Sequence, residues 1–125
     1  MSPESSRMFR FAAAFNWGVA LGLFLIPAPF LGLLSVSPTP EQSLWVQQFA
    51  GLVLFFGIGY YQASVDLEKM APMIRLAVWA KWGVVLIALL NVLTGDISWQ
   101  FMIPASVDGV FAVLFVQALR SMAKC

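Results

Sequence analysis

Two charged side chains lie inside apolar stretches of the sequence, Lys81 in the third stretch and Asp108 in the fourth. A charge near the centre of a bilayer costs about 2.5 to 3.5 kcal/mol on the insertion scale, so such a residue rarely stands there without a partner. On a helix, Asp108 shares a face with the small residues Ala105, Gly109 and Ala112, which suit close contact between helices. We therefore expect Asp108 to face protein and to form an ion pair or a shared polar cavity with Lys81.

Lys81 has a counterpart in the first half of the chain, because two segments match at the same offsets. Arg, Ala, Trp, Gly, Val and Leu recur in residues 10–21 and 75–86, and Asn16 occupies the position of Lys81. One interpretation is a ligand or proton site formed by Asn16, Lys81 and Asp108. The other is a buried ion pair and a hydrogen-bonding amide that fix helix register, unless Lys81 extends its ammonium group to the interface.

Residues for other kinds of chemistry are scarce. The chain has no histidine and one cysteine, Cys125, which excludes a disulfide or a Cys/His metal site within one chain and which we interpret as an exposed thiol without a role. The acidic residues are scattered; they are Glu4, Glu41, Asp66, Glu68, Asp96 and Asp108. There is no phosphate-binding loop, serine elbow or basic stripe. The sequence therefore predicts no catalytic residue, no cofactor, no metal and no nucleic-acid partner.

The elements that must position the polar residues are four apolar stretches. Hydrophobic residues make up 61% of the chain and charged residues only 10%, unlike the composition of a soluble domain. The stretches, residues 8–27, 45–65, 74–93 and 100–119, are each close to the ~20 residues that cross a bilayer. No cleavage site directly follows the first stretch, and the apolar character continues from Phe30 to Leu34, so we expect this segment to be retained. The prediction is an all-α integral membrane protein with four transmembrane helices.

The distribution of basic residues predicts how these helices are oriented. Positive charges lie before the first stretch, between the second and third, and after the fourth; they are Arg7, Arg10, Lys69, Arg75, Arg120 and Lys124. The other two connections carry only Glu41 and Asp96. By the positive-inside rule, both termini lie in the cytoplasm, as in a protein of the bacterial inner (plasma) membrane. Trp45 and Trp99 then stand at the outer interface as anchors.

The matching segments also indicate a duplicated helical hairpin. A weaker match relates Ala50, Phe56, Gln62 and Ala63 to Ala105, Phe111, Gln117 and Ala118. We expect a single membrane domain, residues 1–125, in which tandem hairpins at about residues 8–65 and 74–120 form a four-helix bundle. Pro27 and Pro29 should end the first helix, and residues 30–34 should form an apolar flap or interfacial turn.

The layout of the spans resembles that of the DoxX-like proteins and other small four-helix membrane families. The resemblance consists of four short spans, a basic residue early in the third, Lys81, and an acidic residue in the fourth, Asp108. It departs from them because the second span has no matching acidic residue. The resemblance implies a four-helix membrane bundle and assigns no functional residue.

The expected function is that of a non-enzymatic accessory or scaffold protein, which binds another membrane protein or a lipid through its apolar bundle. The alternative is a small oligomeric carrier or channel that uses Asn16, Lys81 and Asp108 along a polar path. Gly18 and Gly22 form a GxxxG step, which permits close helix contact within the bundle or, in a homo-oligomer, with a second copy. Of these two contacts, we expect the one within the bundle.

Overall fold

The protein is all-helical in a computed structural model that describes residues 2–124, so Cys125 lies outside the described residues. The helices are α1 (Pro3–Leu25), α2 (Pro27–Gly32), α3 (Ser43–Val65), α4 (Leu67–Leu93) and α5 (Met102–Ala123). Short 3-10 turns at Pro40–Gln42 and Trp99–Phe101 lead into α3 and α5. All of these helices except α2 are long and apolar enough to cross a membrane. The predicted all-α class and the four apolar helices are confirmed.

Two of the long helices begin earlier than the apolar stretches predict, because polar side chains cap them. Ser2 Oγ accepts a hydrogen bond from the backbone N–H of Ser5 at 3.1 Å, next to the start of α1 at Pro3. Asp66 Oδ1 accepts one from the N–H of Lys69 at 3.2 Å, at the start of α4. Such caps satisfy N–H groups that the first turn leaves without partners. Both helices therefore extend past their apolar segments.

The four long helices form a ring in the order α1, α3, α4, α5. α1 packs mainly on α3 and α4 mainly on α5, whereas α3 and α4 contact each other less and α1 and α5 contact each other least. The start of α1, the end of α5 and the α3–α4 turn lie at one end of the bundle, called the terminal end. Residues 26–42 and 94–101 lie at the other end, called the loop end. The bundle therefore consists of two tight helix pairs, α1–α3 and α4–α5.

The outer surface of the bundle is strongly apolar. Leu25, Leu33 and Trp79 are 74%, 76% and 77% exposed, and many other large hydrophobic side chains are exposed around the ring. Trp45 and Trp99, the predicted anchors, are exposed near the loop end. Apolar surface on this scale is not stable against water and fits a surface in contact with lipid or with another membrane protein.

The terminal half of the bundle is filled by aromatic and small side chains. Phe9 of α1 stacks on Phe115 of α5 with ring centroids 5.0 Å apart, and the ring of Tyr60 lies 4.9 Å from that of Phe115. The other buried members of this cluster, the aromatic core, are Ala12, Ala13, Ala63, Leu67, Ile74, Ala77 and Ala118. Small residues bring the helices close while the rings occupy the space between them.

The loop end contains a short helix, followed by a turn, where the sequence predicted an apolar flap or an interfacial turn. Residues 30–34 include the end of α2, which starts at Pro27 because proline suits the first turn of a helix, where its missing N–H has no partner anyway. Phe30 packs on α1 so closely that a Cβ added at Gly22 would clash with its ring. Leu31 is buried in a second apolar cluster. α2 therefore covers the loop end of α1.

The predicted GxxxG step does not join two long helices. A Cβ added at Gly18 would meet no atom within 4 Å, and Gly22 contacts α2. Close approach occurs instead at Gly57, where an added Cβ would lie 2.6 Å from Trp17 Nε1 and 3.2 Å from Asn16 Cβ. Gly57 is therefore the small residue that lets α1 and α3 come together.

Candidate ligand-binding site

A cavity of about 670 Å³ lies between the helix pairs, and its lining reaches from Gln42 at the loop end to Tyr60 of the aromatic core. The wall is apolar and rich in aromatic rings, which belong to Phe15, Phe30, Trp45, Phe49, Phe56 and Phe101. The deep end, called the floor, is formed by Asn16, Tyr60, Lys81 and Asp108. The three polar residues singled out in the sequence therefore line one cavity.

Lys81 and Asp108 are in direct contact at the floor. Lys81 Nζ donates a hydrogen bond to Asp108 Oδ1 at 2.6 Å, which is also the one salt bridge among residues 2–124. The Lys81 side chain is 6% exposed and that of Asp108 is 21% exposed. Lys81 therefore does not extend to an interface, and its charge is offset by a partner, as a buried ammonium group requires.

Three aromatic rings surround the ammonium group of Lys81. Nζ lies 5.2 Å from the ring centroid of Tyr60, 5.7 Å from that of Phe111 and 5.8 Å from that of Phe115, within the range of cation–π attraction. Tyr60 stands near the end of the second apolar stretch, where a tyrosine would also suit the interface, yet it is only 2% exposed. The signal for the burial of Tyr60 was the sequence match between α3 and α5, which aligns Tyr60 with Phe115.

Asn16 joins α1 to α3 beside the ion pair. Its Nδ2 donates a hydrogen bond to the carbonyl of Val53 at 3.0 Å, and the neighbouring Trp17 Nε1 donates to the carbonyl of Leu54 at 3.3 Å. Within residues 2–124, no hydrogen bond joins Asn16 to the ion pair. The structure thus brings two of the three predicted site residues into contact and places the third next to them.

The polar contacts of the two helix pairs occupy matching positions. When the halves are aligned as the sequence suggests, Asn16 falls opposite Lys81 and Val53 falls opposite Asp108. An amide bound to a backbone carbonyl therefore joins α1 to α3 at the place where an ion pair joins α4 to α5. A neutral hydrogen bond is thus enough to connect a pair of these helices at this depth.

Comparison with known proteins gives no match to a protein family, to a curated protein or to a solved structure. The DoxX-like layout therefore contributes no residue roles, and the site has to be interpreted from its own geometry.

Proposed function

We propose that this chain is a non-enzymatic membrane protein that binds a lipid or lipid-like molecule in the cavity between its helix pairs. The observation that carries the proposal is an apolar, aromatic wall combined with a floor of Asn16, Lys81 and Asp108. The volume of about 670 Å³ falls within the roughly 300–1,000 Å³ of small-molecule sites. Such sites have mainly apolar walls and a few polar groups that orient the ligand.

The charges on the floor favour ligand binding over a purely structural role. The contact of Asn16 with a backbone carbonyl joins α1 to α3 without any charge, so packing alone does not require charges between α4 and α5. A buried ion pair must overcome desolvation, and an apolar pair of similar volume is often as stable. Lys81 and Asp108 nevertheless stand at the end of a cavity, with the carboxylate partly exposed. Ionisable groups placed in this way inside a membrane commonly contact a ligand.

The proposed orientation places the terminal end in the cytoplasm and the protein in the bacterial inner membrane. All basic residues except Lys81 lie toward the terminal end; they are Arg7, Arg10, Lys69, Arg75, Arg120 and Lys124. The loop end carries only Glu41 and Asp96, which agrees with the positive-inside rule. In this orientation the cavity lies in the outer half of the bilayer, and the aromatic core fills the inner half.

Filling the cavity tests lipid binding directly. Val84 lines the cavity, whereas Val110 is 59% exposed on the outer surface, so the same substitution at both positions provides a matched control. Val84→Trp should remove the lipid that co-purifies in mild detergent, and Val110→Trp should retain it. The lipid is measured by mass spectrometry of extracts from protein whose thermal melting is first compared with that of the wild type. Equal retention by both folded variants would contradict the proposal.

The accessory part of the proposal concerns a partner in the membrane, either another membrane protein or a second copy of this chain. The exposed apolar surface, which includes Trp79 and Leu33, provides area for such a contact. Crosslinking in native membranes should then capture a partner. Recovery of the isolated chain alone, with no change in any membrane protein after deletion of the gene, would refute this role.

A small oligomeric carrier is the second candidate, and the filled terminal half of the bundle favours a carrier over an open channel. Phe9, Tyr60 and Phe115 occupy the centre of that half, while the cavity reaches the loop end. Access from one side at a time is what alternating access requires. Solute flux into proteoliposomes should then fall in Asp108→Asn and in Lys81→Met, and unchanged flux in both variants would eliminate this candidate.

A further inference from the structure

We infer that the ligand is a lipid alcohol, a molecule with an apolar body whose deep end carries a neutral hydroxyl group that donates a hydrogen bond to Asp108. This inference rests on the lipid-binding function proposed above and adds the chemistry of the group at the floor. The carboxylate is the member of the ion pair that a ligand reaches, because its side chain is 21% exposed while that of Lys81 is 6% exposed.

The carboxylate of Asp108 has an acceptor without a protein donor. Oδ1 accepts the hydrogen bond from Lys81, and no group within residues 2–124 donates one to Oδ2. A carboxylate oxygen in an apolar cavity is stable only when a donor satisfies it. Because an ionised carboxylate accepts hydrogen bonds and donates none, the ligand group that meets Oδ2 has to be a donor.

The ammonium group of Lys81 is largely enclosed by protein contacts. Its ammonium group is held by Asp108 on one side and lies against the rings of Tyr60, Phe111 and Phe115. A ligand whose polar group only accepts hydrogen bonds, such as a ketone, an ester or an ether, leaves Oδ2 of Asp108 without a donor, even where it accepts a hydrogen bond from another group at the floor. The need for a donor therefore favours an alcohol over most other apolar molecules of similar size.

A charged ligand group does not fit the floor either. Lys81 and Asp108 already neutralise each other at 2.6 Å, so a cation beside Asp108 also meets Lys81, and an anion beside Lys81 also meets Asp108. The attraction to one partner is offset by the repulsion from the other, so the desolvation of a third charge in this apolar cavity is not compensated. A hydroxyl group supplies the donor without a charge, and its apolar body matches the aromatic wall.

The test uses photoactivatable probes that share one diazirine-bearing alkyl tail and differ only in the terminal group, which is a primary alcohol, its methyl ether, a methyl ketone or a trimethylammonium. Each probe is mixed at the same mole fraction into vesicles that contain the intact protein, and labelling is measured by mass spectrometry. The alcohol should label the cavity roughly tenfold or more above the ether and the ketone, as expected for a hydrogen bond to a charged acceptor. The ammonium probe should label least.

Two variants separate the possible failures. Lys81→Met/Asp108→Leu removes both charges from the floor and should label equally with the alcohol and the ether, and Val84→Trp should lose both labels. If the wild type labels equally with alcohol and ether and Val84→Trp loses both, the cavity binds lipid but a water satisfies Oδ2, and the alcohol inference is wrong. If a folded Val84→Trp variant labels like the wild type, the lipid-binding function fails as well. Preferred labelling by the ketone or the ammonium probe would also overturn the inference.

Discussion

Removing the carboxylate of Asp108 should destabilise the bundle more than removing both charges of the ion pair. In Asp108→Ala, Lys81 Nζ loses the acceptor at 2.6 Å while the residue remains 5% exposed. The rings around Nζ, at 5.2 to 5.8 Å, attract the cation but replace neither the charge nor the hydrogen bond. The ammonium group is then buried without a counter-ion.

The magnitude follows from the exposure of the two partners. Breaking a buried pair by removing one member costs about 3–5 kcal/mol, and because the Asp108 side chain is 21% exposed we expect about 3 kcal/mol for Asp108→Ala. Lys81→Met should cost less, since the remaining carboxylate is the more accessible group. The apolar double variant Lys81→Met/Asp108→Leu should lie within about 1 kcal/mol of the wild type, because neither charge is left unpaired.

The assay is reversible unfolding in mixed micelles, applied to the wild type, Lys81→Met, Asp108→Leu and the double variant Lys81→Met/Asp108→Leu, with Asp108→Ala measured beside them. The resulting double-mutant cycle should give a coupling free energy of at least about 2 kcal/mol. Asp96→Ala is the control for loss of a carboxylate, because Asp96 is exposed at the loop end and should change stability by about 0.5 kcal/mol or less. Single losses that add up to that of the double variant would refute the coupling.

Three other outcomes concern helix contact and orientation. Gly57→Ala should lower the free energy of unfolding by about 1–3 kcal/mol, because the new Cβ would lie 2.6 Å from Trp17 Nε1. Its control is Gly51→Ala, whose new Cβ meets no atom within 4 Å, so this variant should be neutral or slightly stabilising. Equal effects of the two substitutions would argue against close packing at Gly57. Trp17→Phe should cost about 1 kcal/mol in the same assay through the lost hydrogen bond to α3, and an unchanged stability would show that this bond contributes nothing. A membrane-impermeant thiol reagent should label Thr39→Cys in intact spheroplasts of a Cys125→Ser background, and should label the native Cys125 only after permeabilisation; the reverse pattern would reject cytoplasmic termini.

Helical periodicity was sufficient to predict which residues surround Asp108. The face shared by Ala105, Gly109 and Ala112 is buried, and Asp108 lies on it in contact with Lys81. Small residues mark the buried face of a membrane helix better than hydrophobicity does, since every face of such a helix is apolar. The long side chain of Lys81 spans the difference in depth between Lys81 and Asp108. Predicting the contact between them therefore depended little on where each helix begins.

The position of Tyr60 could not be predicted in this way. α3 is apolar on all sides, so hydrophobic periodicity does not indicate which way Tyr60 points. A tyrosine near the end of an apolar stretch suits the interface equally well. Its burial depends on tertiary contacts, namely the close approach of α1 at Gly57 and the packing of Phe115.

The short helix α2 depended on tertiary contacts as well. Pro27 and Pro29 indicate where α1 stops, but proline is also compatible with the first turn of a new helix. The choice rests on the packing of Phe30 and Leu31 against α1 and α3. The cavity is harder still to predict, because it arises from the separation between two helix pairs and no single residue specifies that separation.

The sparse contact between α1 and α5 affects how a lipid would reach the floor. Phe9 meets Phe115 and Phe15 meets Phe111 in the terminal half, whereas toward the loop end the two helices flank the cavity. A molecule dissolved in the bilayer could pass sideways between these helices without crossing water. Its occupancy would then follow its mole fraction in the surrounding leaflet rather than its aqueous concentration. In that case the fraction of protein carrying a ligand would vary with the lipid composition of the membrane that surrounds it.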